Sequence, residues 1–463
     1  MARRARPTPP AHLAPPPVAR PALADAGPQF MRLEREVEEE FRPQMLQALQ
    51  RKVDAVATAL PRSAAPPCPQ CGQPMPYPDA RPVSWVARCG RVTARPARYR
   101  CQACRQERRP LLDLLGVEPG RVSGSLARLL ALLGGVVPYE LAAQWAGLCC
   151  GVHVNAMTVW RAVQRLGEAA ERYSEALSAY HADPRSEGPP LPQPPGTVVV
   201  GVDGCALGMQ IRARRRRHPT PAEPLPALPA GAEGRFREVK TGVLLLPAER
   251  VEPSPGRRSV VRRVLVTCLG EADTRFTHVW ARLRELGWRG AQTGVAIGGE
   301  GAEWIWARAT LFERRCEILD FWHALEHAWA FARLRYGEGS PRATRWVHRI
   351  AQDLRAGQVA QVIARLQRVG APTPEAREKL EGLIRDYTTH TPRMRYDEYL
   401  RLGYGIGSGA VESAHKQVGH ARLRQAGMRW SEAGARRLLA LRLLLLNNDW
   451  ALLDRLRMIA LAA

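Results

Sequence analysis

The chain has 463 residues, and 68 lysine and arginine residues against 44 aspartate and glutamate residues give it a net charge of +24. A length of this order accommodates roughly three domains. Only four of the basic residues are lysine, and arginine suits phosphate geometry, so we expect a polyanionic partner, with nucleic acid favoured over a membrane. Neither a long apolar stretch nor an apolar signal core is apparent, because even residues 438–446 are interrupted by Arg442. We therefore predict a cytoplasmic protein.

The N-terminal part divides into an arm and a helix. Residues 1–27 are rich in proline, alanine and arginine without a repeat, which predicts a disordered basic arm. Residues 28–60 follow a helical pattern, and Pro43 is expected to break or kink this helix.

Four cysteines in two C-x-x-C pairs mark the next segment, residues 64–112. Cys68 and Cys71 form the first pair, and Cys101 and Cys104 form the second. Cysteines in a cytoplasmic protein are expected to be reduced, and this spacing suits tetrahedral zinc in a zinc ribbon. Short strands are predicted at residues 83–87 and 92–99. Four filled positions would make the zinc structural, and the alternative is a coincidental set of core cysteines.

Residues 120–181 contain three short helical patterns, at residues 125–133, 139–146 and 155–166. This layout predicts a helix-turn-helix whose third helix, capped by Asn155, enters a DNA groove. An ordinary packing unit of three helices is the alternative. The predicted outward-facing residues of the third helix are Thr158, Arg161, Gln164 and Arg165.

A proline-rich linker, residues 182–196, precedes a valine-rich strand at residues 197–204. We expect Asp203 to lie at the exit of this strand, where it is either a magnesium ligand or a helix cap or turn former. Residues 214–234 form a second proline-rich segment, predicted to be a flexible insert. Further strands are expected at residues 236–246 and 262–268.

Two later strand ends also carry acidic residues. Residues 294–297 read as a strand and lead into a glycine-rich turn with Glu300, and residues 316–319 lead to Asp320 and His323. Strands that alternate with helices predict an α/β sheet, whose ligands gather beyond the carboxyl ends of the strands.

The C-terminal part is predicted to be helical. Residues 324–402 read as an all-helical insertion, and Ser408 begins a helix with Glu412 on its first turn. The basic residues predicted to contact DNA from this last segment are Lys416, Arg422, Arg424 and Arg429.

Three acids, Asp203, Glu300 and Glu412, are therefore candidates for one site. Carboxylates that converge at a sheet edge can hold two divalent metal ions, which activate a hydroxyl or water for attack on a phosphodiester. We interpret them as catalytic residues and as ligands of Mg²⁺ or Mn²⁺. Together with the charge and the two N-terminal modules, they favour phosphodiester chemistry on double-stranded DNA.

Several motifs resemble those of bacterial insertion-sequence transposases of the ISKra type. The most specific is the stretch from Ile406 to Ser413, Ile-Gly-Ser-Gly-Ala-Val-Glu-Ser, followed by Ala-Arg-Leu-Arg-Gln-Ala-Gly-Met-Arg-Trp-Ser-Glu from Ala421. The Asp203 strand and the paired cysteines are also similar. Further similar segments are Glu238-Val-Lys-Thr-Gly-Val, Ile318-Leu-Asp-Phe-Trp-His and Arg393-Met-Arg-Tyr.

The resemblance, which covers residues 65–450, implies an RNase H-like catalytic domain at residues 197–450 with a helical insertion before the last acid. It implies a DDE mechanism with two divalent metals and strand transfer of DNA. The implied partners are the terminal inverted repeats and target DNA, bound by a homo-oligomer associated with the nucleoid. Asp320 and His323 resemble the acid-x-x-histidine pair of related transposases, with a role beside the metal ligands or in core packing.

The middle acid departs from the family, which has aspartate where this chain has Glu300. Its carboxylate lies one methylene further from the backbone, and we hypothesise that this impairs the enzyme, because metal ligands must be placed within about half an ångström. The alternatives are a catalytically silent DNA-binding protein derived from a transposase and a metal nuclease unrelated to transposition.

Overall fold

A computed structural model describes most of the chain. The described residues are 29–60, 66–76, 79–118, 122–182, 196–210, 236–254, 257–260, 263–270, 272–288, 290, 292–449 and 451–456. The predicted arm at residues 1–27, most of the linker at residues 182–196 and the insert at residues 214–234 lie outside them. The chain folds as a mixed α/β protein.

The N-terminal helix α1, Gln29–Ala59, runs through Pro43, so the expected break at this proline does not occur. Leu46, Leu49 and Val53 of α1 pack on the strands that follow, which gives this part of the chain a small apolar core of its own.

Short strands surround the paired cysteines. They are β1 (Asp79–Ala80), β2 (Val83–Ala87), β3 (Gly90–Ala94), β4 (Ala97–Arg100), β5 (Glu107–Arg108), β6 (Val117–Glu118) and β7 (Val122–Ser123), with the short helix α2 (Pro110–Leu114) before β6. The predicted strand at residues 83–87 is confirmed, but the one at residues 92–99 is divided between β3 and β4, which lie in different sheets. Pro96 separates them, since proline has no amide hydrogen to continue a ladder.

Three helices follow as expected: α3 (Gly124–Val136), α4 (Tyr139–Cys150) and α5 (Ala156–Ala182). Local capping defines their ends. Ser123 Oγ accepts from Leu126 N at 3.2 Å, Gly151 ends α4 at φ 61°, and Asn155 Oδ1 accepts from Thr158 N at 2.9 Å.

A five-stranded sheet forms the centre of the molecule. Its strands are β8 (Thr197–Gly208), β9 (Phe236–Leu245), β12 (Arg263–Leu269), β13 (Gly294–Gly299) and β14 (Arg315–Leu319). The strand order is β12-β9-β8-β13-β14. β9 is antiparallel to β8 and β12, whereas β13 is parallel to β8 and β14. A separate hairpin of β10 (Arg250–Ser254) and β11 (Arg257–Val260) lies between β9 and β12 in the chain.

Helices follow the strands and fill the C-terminal part. They are α6 (Ala272–Glu285), α7 (Glu303–Ala309), α8 (Phe321–Tyr336), α9 (Pro341–Arg355), α10 (Val359–Leu366), α11 (Pro374–His390), α12 (Tyr396–Arg401), α13 (Gly409–His415), α14 (Ala421–Leu423) and α15 (Glu432–Leu446). A π-helical turn, Lys416–His420, joins α13 to α14.

The sheet is covered on both faces, because neighbouring strand residues point in opposite directions. On β12, Val266 joins a core with α6, α7 and the helices from α8 to α12. Leu265 beside it joins the core formed with α3, α4, α5, α13 and α15. Within the described part of the chain, no helix combines the length and the apolar character needed to cross a membrane.

Candidate active site and cysteine cluster

Asp203 lies within β8, five residues before the strand ends, so the expectation that it stands at the strand exit is wrong. It is neither a helix cap nor a turn residue, because the strand continues past Gly204 in register with β9. The pairing of β8 with β13, however, ends at Gly201 opposite Gly298. Asp203 therefore stands just beyond the carboxyl end of β13, where an open edge begins.

The two carboxylate oxygens of Asp203 have different partners. Oδ1 accepts from Gly204 N at 2.6 Å, and Oδ2 lies 3.1 Å from Nε2 of His415. Burial lowers the pKa of His415, but Asp203 and Cys205 outweigh it and raise that pKa to about 9. The raised pKa favours the protonated imidazole, which forms an ion pair with the Asp203 carboxylate when it carries the proton.

His415 was not singled out from the sequence. It follows Glu412 by three residues, and this spacing places both side chains on one side of the same helix. The Glu-x-x-His spacing is the signal that the sequence contained.

Glu300 follows β13 directly, in the turn that leads to α7, as predicted. Gly301 next to it has φ 91°, a conformation that favours glycine. Burial and the neighbouring carboxylate of Asp203 raise the pKa of Glu300. These two acids, which are 97 positions apart in the sequence, therefore lie close enough to repel each other.

Glu412 is exposed on the first turn of α13. Ser408 Oγ donates to its Oε1 at 2.9 Å, and Ser408 makes no side-chain hydrogen bond to the helix backbone. The helix packs directly on β8, since a Cβ at Gly201 would lie 2.3 Å from Val411 Cγ2. Gly201 thus permits the approach of the helix that carries Glu412.

Asp320 and His323 belong to the start of α8. Asp320 is 4% exposed, and its Oδ1 accepts from His323 N at 2.7 Å as the N-cap of the helix. Its Oδ2 is buried without a hydrogen-bond partner, and burial raises the pKa of this carboxyl. Asp320, Glu300 and Ser408 line one small cavity beside β8 and β13.

The donor chemistry of this edge fits a hard divalent cation, because carboxylate oxygens are the ligands that Mg²⁺ prefers. The buried, unpaired oxygen of Asp320 adds a further acceptor at the same cavity. The carboxylate oxygens of the three candidate acids do not form a closed metal site. Asp203, Glu300 and Glu412 are not among the groups of described residues whose ligand atoms already lie close enough to hold a metal ion.

The four paired cysteines do form such a group. Cys68, Cys71, Cys101 and Cys104 have ligand atoms within 4.8 Å of one another. The Sγ atoms of Cys68 and Cys104 are 3.3 Å apart, and those of Cys71 and Cys101 are 3.5 Å apart. The thiol pKa shifts differ in direction within the cluster: the backbone N–H of Cys104 is the main cause that lowers the pKa of Cys101 to about 6, whereas the pKa of Cys104 is raised by its hydrogen bond with Cys68. The four thiols therefore share their protons, and a bound metal would replace them. This cluster can bind zinc in a tetrahedral S₄ site.

The residues of α5 that were expected to face outward differ in their exposure to solvent. Arg161 is exposed and Arg165 is half-buried, whereas Thr158 is tied by its Oγ1 to Asn155 Oδ1 at 3.0 Å. Gln164 is 6% exposed, so its predicted DNA contact is wrong. It is covered by α15, where a Cβ at Gly434 would lie 3.9 Å from Gln164 Nε2.

The C-terminal basic residues that were expected to contact DNA also differ in their exposure to solvent. Lys416, Arg424 and Arg429 are exposed, as expected. Arg422 is 1% exposed, so its predicted role as a surface DNA contact is wrong. Its guanidinium donates to Gly134 O at 3.0 Å and lies over the ring of Tyr139 at 4.7 Å.

The fold and the site define a mixed α/β protein with a tetracysteine cluster and a group of acids at the edge of its central sheet. No model of a protein family matches the chain, and a search of curated proteins gives no match either.

Proposed function

We propose that the chain is a DNA transposase of the DDE class, similar to the ISKra-type enzymes, with an RNase H-like catalytic domain. The strand order supports this proposal. Three antiparallel strands are followed by two parallel ones, and the first strand lies at the centre of the sheet. In this sheet Asp203 lies on the central strand β8 and Glu300 lies directly after its parallel neighbour β13.

The observation that carries the proposal is the contact between Asp203 and His415, with 3.1 Å between Oδ2 and Nε2. It connects the central strand to α13 one turn after Glu412. The helix that carries Glu412 therefore packs on the strand of Asp203, although 208 residues lie between these two acids in the sequence. If Glu412 served only solubility, its helix α13 would not need to pack directly on the strand that carries Asp203.

At this edge the chain's own residues orient and hold the reacting groups. Mg²⁺ or Mn²⁺, when bound, supplies charge that activates a hydroxyl and stabilises the leaving oxygen of a phosphodiester. Asp203, Glu300 and Glu412 are the residues that would hold these ions. The ion pair with His415 orients Asp203 and partly neutralises the negative charge of the site before DNA arrives.

DNA binding is assigned to the basic surface and the N-terminal modules. Lys416, Arg424 and Arg429 are exposed on the segment that follows Glu412, so phosphates bound there lie next to the acids. We assign α3, α4 and α5 to a helix-turn-helix, with Arg161 exposed for a DNA contact. The tetracysteine ribbon holds zinc and supports binding of the element's ends.

The experiment is metal-dependent cleavage and joining of the terminal DNA of the element that encodes the chain. With Mg²⁺ or Mn²⁺, the purified protein should join cut ends to target DNA. Asp203→Asn and Glu412→Gln should abolish joining and leave DNA binding intact, because they remove ligand charge and preserve shape. Glu381→Gln, which alters an exposed acid of α11, is the matched control. Joining by either site variant would refute the assignment.

A catalytically silent DNA-binding protein is the second candidate. The observation that favours it is that both oxygens of Asp203 are engaged, and that the three acids do not form a metal-holding group as they stand. This protein would bind the same ends with strong salt dependence and give no product in either metal. A nuclease, in contrast, would cut DNA without joining it.

A further inference from the structure

Residues 79–109, which surround the second pair of cysteines, carry a dense set of arginines. This stretch contains nine arginines and no lysine, against the two acidic residues Asp79 and Glu107. Four of the arginines form ion pairs with these two acids or with Asp113. The other five are exposed and make no ion pair or side-chain hydrogen bond with another described residue. They are Arg88, Arg91, Arg95, Arg100 and Arg105.

Two of these five arginines follow strand β3. Arg91 and Thr93 are exposed on one face of the strand, while its alternate residues are buried against α1 on the other face. Arg95 is exposed one position after the strand ends and continues this alternation. The exposed side chains therefore form a row with a spacing of about 7 Å, because a strand rises about 3.4 Å per residue. Ser84 adds a second hydroxyl to this face, with its Oγ 2.9 Å from Thr93 Oγ1.

The surroundings of the row limit what can bind to it. The backbone of Thr93 is already bonded to α1, because Gln50 Nε2 donates to Thr93 O at 2.8 Å and Gln50 Oε1 accepts from Thr93 N at 3.1 Å. A strand of another chain therefore cannot pair there. The surface also lacks the apolar centre of a protein interface, since no exposed large apolar side chain of the described chain lies between residues 79 and 109. A polyanion fits this surface, and guanidinium groups match phosphate oxygens.

Arg105 supplies an independent observation at the second cysteine pair. The two C-x-x-C turns share one backbone geometry, in which the N–H of the first cysteine donates to the carbonyl five positions on, at 2.8 Å and 2.9 Å. The residue after the second cysteine is Gly72 in the first turn, with φ 72°, and Arg105 in the second turn, with φ 60°. Glycine adopts this conformation freely, whereas arginine adopts it at a cost in free energy. An unpaired, exposed arginine thus occupies a position that suits glycine, which indicates a partner outside the chain.

We propose that Arg91, Arg95 and Arg105 contact the phosphate backbone of duplex DNA, through β3 and the second C-x-x-C turn. This proposal rests on the DNA binding of the proposed function, and it names a contact surface other than α5 and the segment after Glu412. Contacts to phosphates fix the position of a protein on a duplex without reading its bases. The cysteine cluster has a direct part in this surface, because Cys104 precedes Arg105 and fixes the turn that carries it.

The test is the salt dependence of binding of the full chain to a fluorescein-labelled DNA duplex of arbitrary sequence, followed by fluorescence anisotropy. Each phosphate contact that is lost reduces the slope of log affinity against log salt by about 1. Arg91→Gln, Arg95→Gln and Arg105→Gln should each reduce the slope by this amount, and the triple variant should reduce it by about 3. Arg368→Gln, which removes the same charge from an exposed position after α10, is the matched control and should leave the slope unchanged.

A further variant separates the loss of a contact from the loss of folding. Arg105→Gly removes the guanidinium and suits the backbone at φ 60°. It should therefore reduce the salt slope by about 1 without lowering the urea midpoint.

Two results would overturn this proposal alone. One is a triple variant that binds the duplex with the wild-type slope, even if the wild type also joins DNA. The other is an equal reduction of the slope by Arg368→Gln, since net charge and not a defined contact would then be responsible. A wild type that binds no duplex would refute both proposals, whether or not it binds vesicles of phosphatidylglycerol. A wild type that binds DNA with the expected slopes and joins none would refute only the proposed catalysis.

Discussion

Arg422 provides a sharp test of the structure, because sequence and structure assign it different roles. The sequence places it among basic residues expected to contact DNA. In the structure its guanidinium is buried, donates to Gly134 O at 3.0 Å, and lies between the rings of Tyr139 at 4.7 Å and Trp430 at 5.3 Å. Arg422→Met keeps similar bulk and removes the charge and the donors.

The expected loss of stability follows from these contacts. A hydrogen bond from a charged donor contributes about 1.5–3 kcal/mol, and each cation–π contact adds about 0.5–2 kcal/mol. Burial opposes these gains by desolvating the cation, and it lowers the pKa of Arg422. We therefore expect a net loss of about 2–4 kcal/mol, since Gly134 O would be left without its partner.

The assay combines urea unfolding, followed by tryptophan fluorescence, with the salt dependence of DNA binding. Arg422→Met should lower the urea midpoint and leave the slope of log affinity against log salt unchanged. Arg424→Met, two residues on, is the matched control. It is exposed, so it should change stability by no more than about 0.5 kcal/mol and reduce the salt slope by about 1. A wild-type urea midpoint with a reduced salt slope for Arg422→Met would refute its burial.

Three further predictions concern the metal and acid sites. Cys68→Ser together with Cys101→Ser should lower bound zinc by one ion per chain, and unchanged metal analysis would exclude the tetracysteine site. Glu300→Asp should raise strand transfer if the longer side chain impairs the enzyme, and equal or lower product on a gel would count against that hypothesis. Asp320→Asn should raise the urea midpoint at neutral pH, because the wild-type carboxyl is buried with a raised pKa while asparagine still caps α8. A carboxyl with a raised pKa destabilises the fold above that pKa, so this difference should narrow as the pH falls towards 3.8, the ordinary value. If the difference in urea midpoint between Asp320→Asn and the wild type does not change with pH, the raised pKa of Asp320 is not its cause.

Features set by local sequence could be predicted. The strands around Asp203 and Glu300, the cap at Asn155 and the paired cysteines each depend on neighbours within a few positions. Amphipathic periodicity and C-x-x-C spacing carry this information directly.

Features set by distant partners could not be predicted. Arg422 is buried because Gly134, 288 positions away, offers its carbonyl. Gln164 is buried because α15 crosses α5 closely, with a Cβ at Gly167 only 2.3 Å from Arg437 O. A helical pattern identifies which residues share a face, and it does not identify what covers that face.

The end of α3 shows how the helix that carries the third acid is tied to the N-terminal helices. The last carbonyls of a helix lack partners within it and carry partial negative charge. In α3, Gly134 O accepts from Arg422 and Gly135 O accepts from Arg442.

Arg442 also donates to Val418 O, at 2.9 Å, in the π-helical turn that follows α13. The arrangement has a cost, because burial and the neighbouring Arg422 lower the pKa of Arg442 to about 10. The hydrogen bonds that Arg442 donates to backbone carbonyls offset the cost of burying its charge. Arg422 and Arg442 together hold the C-terminal end of α3 against the segment that follows Glu412.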